Sequence, residues 1–307
     1  MRTQLPFALL ATALACTLAS TAAHARARVF VASYGNDANA CTFGSPCKTF
    51  QQAVNVVDPG GEVTAIDSAG FGPINITKAV TITSPGGVEA GIVPAANGMA
   101  ININAGPSDK INLRGLVIDG TGTATNGINF IAGDRLNVQD SVIRNFAGDG
   151  IFFGPNASSK LSMSNTLVSN NSVNGVSVGP TGSVTVDAVL DHVELDSNGN
   201  GLHATGNGNG ILRVILSNSV SSHNSVGVLA ASQPGTTAVM VQSSIIAGNG
   251  TGLRADGTAA AITATRSTIT ANELGISDST GATVSSKDNL LTDNNIDQGF
   301  KFTISLE

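Results

Sequence analysis

A glycine followed by an aliphatic or aromatic residue recurs at nearly constant spacing through the C-terminal two thirds of this chain. The glycines that mark the repeat are Gly127, Gly150, Gly175, Gly201, Gly227, Gly252, Gly275 and Gly299, at intervals of 23 to 26 residues. A period in the range of about 20–50 residues indicates stacked supersecondary units. The chain is therefore expected to be a repeat protein.

Within each repeat the apolar residues alternate with polar ones, as in Leu161 and Met163 or Val176 and Val178. Alternation predicts strands, and no segment between the glycines has helical periodicity. Leucine-rich repeats need more leucine, and propeller blades need about 40–45 residues. The pattern predicts an all-β, right-handed parallel β-helix with coils of about 23–26 residues.

Asparagines occupy one equivalent point of the repeat, five residues after a Ser, Thr or Asn. They are Asn171, Asn224, Asn249, Asn272 and Asn294. Stacked coils would bring their amides into a ladder in which each side chain bonds the next. We expect this ladder to be structural, and we expect the repeat glycines to supply left-handed or tight backbone at the corners.

The N-terminal part of the chain departs from the repeat. Phe50, Ala53, Val54 and Val57 are spaced as on one face of a helix, which is predicted to begin near Thr49 and to end before residue 59. Because a solenoid needs a cap, this helix is expected to cover its N-terminal end. A single domain is predicted for 26–307, with the cap and irregular coils in 26–109 and regular coils in 110–307.

Residues 1–25 have the pattern of a signal peptide. An apolar run from Leu5 to Ala19 is followed by Ala23-His24-Ala25, a small-x-small cleavage pattern. A lipoprotein signal ending at Cys16 is the alternative. Either interpretation predicts export, to the periplasm or the extracellular space, with no transmembrane segment in the mature chain.

Two cysteines, Cys41 and Cys47, remain in the predicted mature chain. In an oxidising compartment a closely spaced pair predicts a disulfide. A metal site is the alternative, but it would need two further soft ligands, and only Tyr34, Asp37 and Thr42 are nearby.

The composition limits the partners. The net charge of −6 argues against nucleic acid, which needs a basic stripe, although a local basic patch could still bind an acidic polysaccharide. Aromatic residues make up 4% of the chain and Trp is absent.

The segment "VFVASYGNDANACTFGSPCKTFQQAV", 29–54, resembles the N-terminal part of exported bacterial right-handed parallel β-helix proteins of the pectin-lyase-like superfamily. There a strand leads through a Gly-Asn-Asp loop and a Pro-Cys-Lys-Thr turn to a capping helix. The resemblance implies the fold for nearly the whole mature chain. It implies little about activity, because the superfamily contains lyases, hydrolases, epimerases and members with no assigned chemistry.

The catalytic signatures of the characterised branches are missing. The chain has no paired-Asp motif with a Gly-His-Gly loop and no Asp-Pro-His-Asp motif. Basic residues are not clustered in the sequence: Arg114, Arg144, Arg213, Arg254 and Arg266 stand singly. The repeat coils also differ in length by three residues at most, which counts against a deep cleft.

One stretch, 186–210, concentrates carboxylates and histidines. Asp191, Glu194 and His203, with Arg254 further along, are the candidate catalytic residues, because carboxylates beside His or Arg suit acid–base chemistry or glycoside hydrolysis. Strand alternation places Asp191 away from His192 and Glu194, so a solvated rim is the alternative.

A calcium loop is a second, weaker possibility in the same stretch. Asp196, Asn198, Asn200 and Gly201 fit the loop pattern, but Asn207 stands where a bidentate Glu is required. No cofactor is therefore expected.

The residues two positions after each repeat glycine should form one outward column. The column comprises Asn129, Phe152, Ser177, His203, Leu229, Arg254, Ser277 and Lys301. Asn129, Phe152, His203 and Arg254 are the candidate ligand-binding residues, because sugar rings favour mixed aromatic and polar surfaces.

Two functions remain open. The first is a non-enzymatic exported module that binds glycan or takes part in cell-surface interactions. The alternative is a lyase or hydrolase that acts on an acidic polysaccharide.

Overall fold

Each coil of the chain contains up to three short strands joined by tight corners. The structure, a computed structural model, describes residues 26–304; the predicted signal peptide, 1–25, lies outside them. Strands of successive coils pair in parallel, so they form three parallel ladders, which we call face 1, face 2 and face 3. The predicted all-β parallel β-helix is confirmed.

The strands are numbered β1 to β29 in chain order. Face 1 contains β1 (Arg28–Val31), β2 (Glu62–Ala65), β5 (Val80–Thr83), β8 (Lys110–Arg114), β11 (Arg135–Gln139), the first half of β14 (Ser159–Ser169), the first half of β16 (Thr185–Asp196), β18 (Ile211–Ser217), β21 (Thr236–Gln242), β24 (Ala260–Thr265), β27 (Ala282–Ser285) and β29 (Phe302–Thr303).

Strands β14 and β16 run through the corner between face 1 and face 2 and belong to both. The rest of face 2 is β3 (Ala69–Gly70), β6 (Ala90–Ile92), β9 (Leu116–Asp119), β12 (Val142–Arg144), β19 (Val220–Ser222), β22 (Ile245–Ala247), β25 (Thr268–Thr270) and β28 (Leu290–Thr292). Face 3 contains β4 (Ile74–Ile76), β7 (Met99–Asn104), β10 (Asn126–Ala132), β13 (Ile151–Phe153), β15 (Asn174–Val178), β17 (Asn200–Asn207), β20 (Val226–Gln233), β23 (Thr251–Asp256) and β26 (Leu274–Ser277).

The inward side chains of the three faces form the core. On face 3, one aliphatic residue per coil stacks on the next, from Ile74 through Ile128 to Ile276, and each is almost fully buried. Phe130 and Phe153 stack in the same way, with ring centroids 4.4 Å apart. The core is thus continuous along the axis rather than centred on one cluster.

The corners use left-handed backbone at residues other than the repeat glycines. From β8 onward, the residues with positive φ between face 1 and face 2 are Gly115, Asp140, Asn165, His192, Asn218, Ser243, Arg266 and Lys287. From β12 onward, those between face 2 and face 3 are Asn145, Asn170, Ser197, His223, Gly248, Ala271 and Asp293. In these coils each corner therefore turns at one residue.

The repeat glycines have a different role from the one expected, because none of those from Gly127 to Gly275 has a positive φ. They lie where neighbouring coils approach closely. A Cβ on Gly227 would stand 2.7 Å from the carbonyl oxygen of Gly252 and 3.0 Å from the Asn249 amide nitrogen. Glycine is needed because there is no room for a side chain. Gly299 has open space around its Cβ position and does not continue the stack.

The asparagines form a buried ladder between face 2 and face 3. The Nδ2 of each residue donates to the Oδ1 of the next, at 2.8 to 3.2 Å, through Asn171, Asn198, Asn224, Asn249, Asn272 and Asn294. The backbone N–H of the first five donates to the same oxygens. Asn198, assigned above to the calcium loop, is a member of this ladder.

The predicted helix is present as α1 (Phe50–Val56). Thr49 caps it by accepting a hydrogen bond from the backbone N–H of Gln52, and Phe50, Ala53 and Val54 are buried. The Phe50 ring lies 4.9 Å from that of Phe71, centroid to centroid. The helix thus covers the N-terminal end of the core, as a solenoid cap must.

Candidate functional site

A column of basic side chains lies on the outer surface of face 1. Lys110 pairs in register with Arg135, and Arg135 with Lys160. We call these three residues the basic column. Since paired strands are about 4.8 Å apart, successive cations are separated by roughly one strand spacing.

A polar column runs beside the basic column, two residues further along each strand. It consists of Thr81, Asn112, Asn137 and Ser162, which are in register with one another. Asn112 Nδ2 donates to Thr81 Oγ1 at 3.1 Å, and Asn137 Nδ2 donates to Asn112 Oδ1 at 2.6 Å. Asn112 and Asn137 are half-buried, so part of each side chain stays accessible.

A depression of about 520 Å³ lies over the polar column. Its lining comprises Arg28, Glu62, Thr64, Thr81, Thr83, Pro85, Asn112, Leu113, Arg114, Asn137 and Gln139. Smaller depressions adjoin the side chains of Lys110 and Lys160. We call the strip of face 1 that contains these separate depressions, the polar column and the basic column the groove.

The N-terminal part of the groove, beside Thr81 and Asn112, lies where the coils are longest on face 3. Ile74, Ile101 and Ile128 hold equivalent positions on face 3 at intervals of 27 residues, whereas the next interval, to Ile151, is 23. Part of the additional chain forms the loop that contains Pro85, one wall of the groove. The regular coils on which the sequence analysis relied therefore do not represent this end of the molecule.

The basic column differs from the other cations of the groove in its pairing. Arg114 Nε lies 2.8 Å from Asp140 Oδ2, and Arg28 Nη2 lies 2.6 Å from Glu62 Oε1. No ion pair among residues 26–304 involves the three residues of the basic column. Asp187 is in register with Lys160 and ends the row of cations, and Asp134 precedes Arg135 in the chain; both carboxylates line the depression beside Lys160.

The basic column is not among the site residues predicted from the sequence. Lys110, Arg135 and Lys160 are 25 residues apart, which is one coil. They belong to face 1, which has no marker residue like the repeat glycine of face 3. A search for basic residues at the coil period would have found them.

The predicted outward column lies on face 3. Register places Asn129, Phe152 and Ser177 in one line, followed by His203, Leu229, Arg254 and Ser277. Lys301 is not in this line; its Nζ donates to Gly281 O at the end of the stack. Asn129 and Ser177 are buried, while Phe152 and His203 are half-buried.

Most polar groups of the face 3 column already have partners. Asn129 Nδ2 donates to Asn102 Oδ1 at 2.8 Å, and Arg254 Nε is 2.8 Å from Asp256 Oδ2. His203 Nε2 lies 2.6 Å from Thr205 Oγ1, and burial lowers the pKa of this histidine. The three cations of the basic column, by contrast, form no ion pair among the described residues.

The structure distributes the candidate catalytic residues over all three faces. Asp191 is at the outer end of face 1, and Glu194 is on face 2 beside Leu167 and Val220. His203 and Arg254 lie two coils apart on face 3. The four side chains do not face one another, and their catalytic role stays a prediction.

Asp191 contacts His192, contrary to the expectation from strand alternation. The distance from His192 Nδ1 to Asp191 Oδ2 is 2.8 Å, because His192 has a φ of +54° at the corner and leaves the alternating pattern. Hydrogen bonds from Asn218, Ser217 and His192 lower the pKa of Asp191.

The residues of the possible calcium loop are committed to other contacts. Asn198 is buried in the asparagine ladder, Asn200 donates to Asn174, and Asn207 donates to the Pro180 carbonyl. Asp196 lies 2.7 Å from His223; burial raises its pKa, but hydrogen bonds from His223, Ser222 and Ser197 outweigh burial and lower it. Among residues 26–304 no three His, Cys, Asp or Glu side chains are grouped as metal ligands.

The predicted disulfide between Cys41 and Cys47 is confirmed. It fits the oxidising compartment expected of an exported protein. In the part of the chain that the structure describes, no helix is long and apolar enough to cross a membrane.

Comparison with solved structures identifies a pectate lyase, Pel9A, as similar in fold. Its crystal structure superposes with a TM-score of 0.62 at 12% sequence identity, over 85% of this chain and 79% of that one. The GH136 lacto-N-biosidase from Eubacterium ramulus matches at a TM-score of 0.26 and 10% identity, over 91% of this chain and 67% of that one, which is too weak to support an argument. No protein-family profile and no curated protein sequence matches the chain. The comparison shows a parallel β-helix with the pectin-lyase-like fold.

Proposed function

We propose that this protein is an exported, periplasmic or extracellular module that binds an extended acidic polysaccharide along the groove of face 1. The observation that carries the proposal is the basic column, in which Lys110, Arg135 and Lys160 stack without ion-pair partners among the described residues. A linear polymer with one carboxylate per sugar ring repeats its charge at roughly the strand spacing. Such a chain, laid along the axis, would bring one carboxylate to each cation.

The polar column would supply hydrogen bonds to the ligand in addition to the charges of the basic column. Asn112, Asn137 and Ser162 offer hydrogen-bonding groups beside each cation, where the hydroxyl groups of a sugar would lie. Neutral hydrogen bonds orient a ligand, whereas charge pairs at an exposed surface contribute only about 0.2–1 kcal/mol each. The pectate lyase of the same fold is consistent with a polysaccharide ligand.

The binding test compares purified protein with polygalacturonate, alginate and a neutral galactan by isothermal titration calorimetry at low and high salt. We expect the two acidic polymers to bind and the neutral one not to bind. Changing Lys110→Gln and Lys160→Gln together should weaken binding about 2- to 30-fold and reduce its salt dependence, because two exposed charge pairs are lost. Equal affinity of the variant and the unaltered protein would contradict the proposal.

Two control variants locate the site. Lys287→Asn removes an exposed cation at a distant corner, where asparagine tolerates the φ of +69°, and should leave binding unchanged. Arg254→Gln removes the cation of the face 3 column. Loss of binding in this variant, rather than in the groove variant, would place the ligand on face 3.

The same reactions report whether the bound chain is cleaved. A lyase produces unsaturated ends that absorb in the ultraviolet, and a hydrolase produces new reducing ends. Binding without either product is the expected result. Product formation would establish the enzymatic alternative and make Asp191, Glu194, His203 and Arg254 the residues to replace.

A further inference from the structure

Phe43 is a large apolar side chain held out in solvent at the tip of a turn. Its side chain is 65% exposed, in a protein with few aromatic residues. The turn is tight: Ser45 N donates to Thr42 O at 3.1 Å, and Phe43 and Gly44 form its tip. Nothing in the packing of the core requires an aromatic residue at this point.

The Phe43 ring lies at the N-terminal end of the groove. It contacts the ring of Phe30 edge to face, with centroids 5.4 Å apart and planes at 85°. Phe30 is an outward residue of β1, in register with Thr64 and then Thr83, both of which line the groove. Phe43 thus stands directly beyond the last polar residues of the groove floor.

The loop that carries Phe43 is braced on both sides. The disulfide between Cys41 and Cys47 closes it, and both cysteines are fully buried. Backbone hydrogen bonds join it to β1, from Phe30 N to Cys41 O at 2.8 Å and from Cys47 N to Phe30 O at 2.9 Å. The exposed ring is therefore held in one position rather than carried by a loose loop.

We propose that Phe43 stacks against a sugar ring of the bound polysaccharide and forms the N-terminal subsite of the groove. This inference rests on the proposed function. The C–H groups on one side of a pyranose ring form an apolar patch with partial positive charge, which complements the negative face of an aromatic ring. A ring held rigidly in solvent is suited to this contact because little conformational entropy is lost on binding.

The distance between the basic column and Phe43 defines how long a ligand must be to contact both. Five strand spacings separate the strand of Lys160 from that of Phe30, or about 24 Å along the axis. Phe30 is in register with Arg114 rather than with Lys110, so it also lies four residues, or about 13 Å, across the face from the basic column. A chain of about six sugars that crosses the face obliquely is needed to reach from the far end of the basic column to Phe43. Shorter oligomers can occupy the basic column alone.

The first test uses Phe43→Trp, since the chain contains no tryptophan and the new side chain would report alone. We expect polygalacturonate to shift and change the tryptophan emission, with a midpoint equal to the dissociation constant from calorimetry. The matched control is Tyr34→Trp. Tyr34 is 67% exposed in the same N-terminal segment and makes no ring–ring contact with Phe30 or Phe43 among the described residues. Its emission should not change.

The second test measures affinity against ligand length. Phe43→Ser should weaken binding of galacturonate hexamers about 2- to 10-fold, the effect of one aromatic contact, and should leave binding of trimers unchanged. Tyr34→Ser should change neither. Unchanged hexamer affinity together with unchanged Phe43→Trp emission would overturn the inference.

The outcomes separate this inference from the function on which it rests. If Lys110→Gln with Lys160→Gln weakens binding but the Phe43 variants behave like the unaltered protein, the groove binds the polymer and Phe43 is no subsite. If the unaltered protein binds none of the acidic polymers, the proposed function and the subsite fail together.

Discussion

At the scale of single residues, Asp149 interrupts a row of asparagines. Its Oδ1 accepts hydrogen bonds from the Asn174 backbone and side chain, and Asn126 Oδ1 accepts from its backbone N–H. Burial raises the pKa of Asp149 more than the hydrogen bonds from Asn174 lower it. With a folded pKa above the unfolded one, stability is lost as pH rises from the unfolded pKa, about 3.9, through the folded one.

Asp149→Asn should therefore raise the free energy of unfolding at neutral pH by about 1 kcal/mol, since an amide removes the buried charge and adds one donor to the row. The gain should shrink as pH falls towards 4, and urea unfolding at several pH values measures it.

Asp119→Asn is the control of opposite sign. Burial raises the pKa of Asp119, but hydrogen bonds from Thr121, Asn145 and Arg144 lower it by more, so the net shift is downward. Removing this charge should cost stability at neutral pH, and the cost should shrink only as pH falls from about 3.9 through the lower folded pKa. A uniform effect of either variant at every pH would contradict the argument.

At the scale of the repeated element, one glycine per coil sets how closely coils can stack. In Gly227→Ala the new Cβ would meet backbone 2.7 Å away and the Ile246 side chain 2.8 Å away, so the coils must separate locally. We expect a loss of about 1–3 kcal/mol, typical of overpacking, and a lower melting temperature. Gly70→Ala is the matched control, because nothing lies within 4 Å of its Cβ position and its φ is not positive. Equal melting temperatures for the two variants would show that coil contact does not depend on the repeat glycine.

The same element explains what the sequence could predict. Close approach of neighbouring coils requires glycine and the ladder requires asparagine, so both residues recur from coil to coil. Their spacing therefore predicts the period of the repeat, the order of the strands and the fold. The groove could not be found in this way, because outward residues of face 1 are free to vary. Lys110 and Arg135 become neighbours only once the register of β8 and β11 is known. The exposure of Phe43 depends on a turn whose partner strand, β1, is twelve residues earlier.

At the scale of the whole molecule, the two ends of the stack differ. The N-terminal end is closed by α1 and a disulfide, whereas the C-terminal coil leaves Leu290, Ile296 and Phe302 largely exposed. Because each coil contacts only its neighbours, opening should start at strands that pair on one side within residues 26–304, such as β28 and β29.

Amide hydrogen exchange should therefore be fastest in β28 and β29 and slowest in β8 and β11. Mass spectrometry of peptides from these strands measures the difference, and β1 is the internal control for an end strand that is capped. Equal protection of β28 and β11 would mean that the stack opens as one cooperative unit.

The one-coil spacing of Lys110, Arg135 and Lys160 has a consequence for how such a surface changes length. Duplicating the coil from 110 to 134 would add a fourth cation in line with the other three and lengthen the row by about 4.8 Å. No loop would need redesign, because the inserted backbone repeats the contacts of the coil it copies. The number of coils that carry a cation therefore sets the length of the basic column and the length of polymer that it can contact.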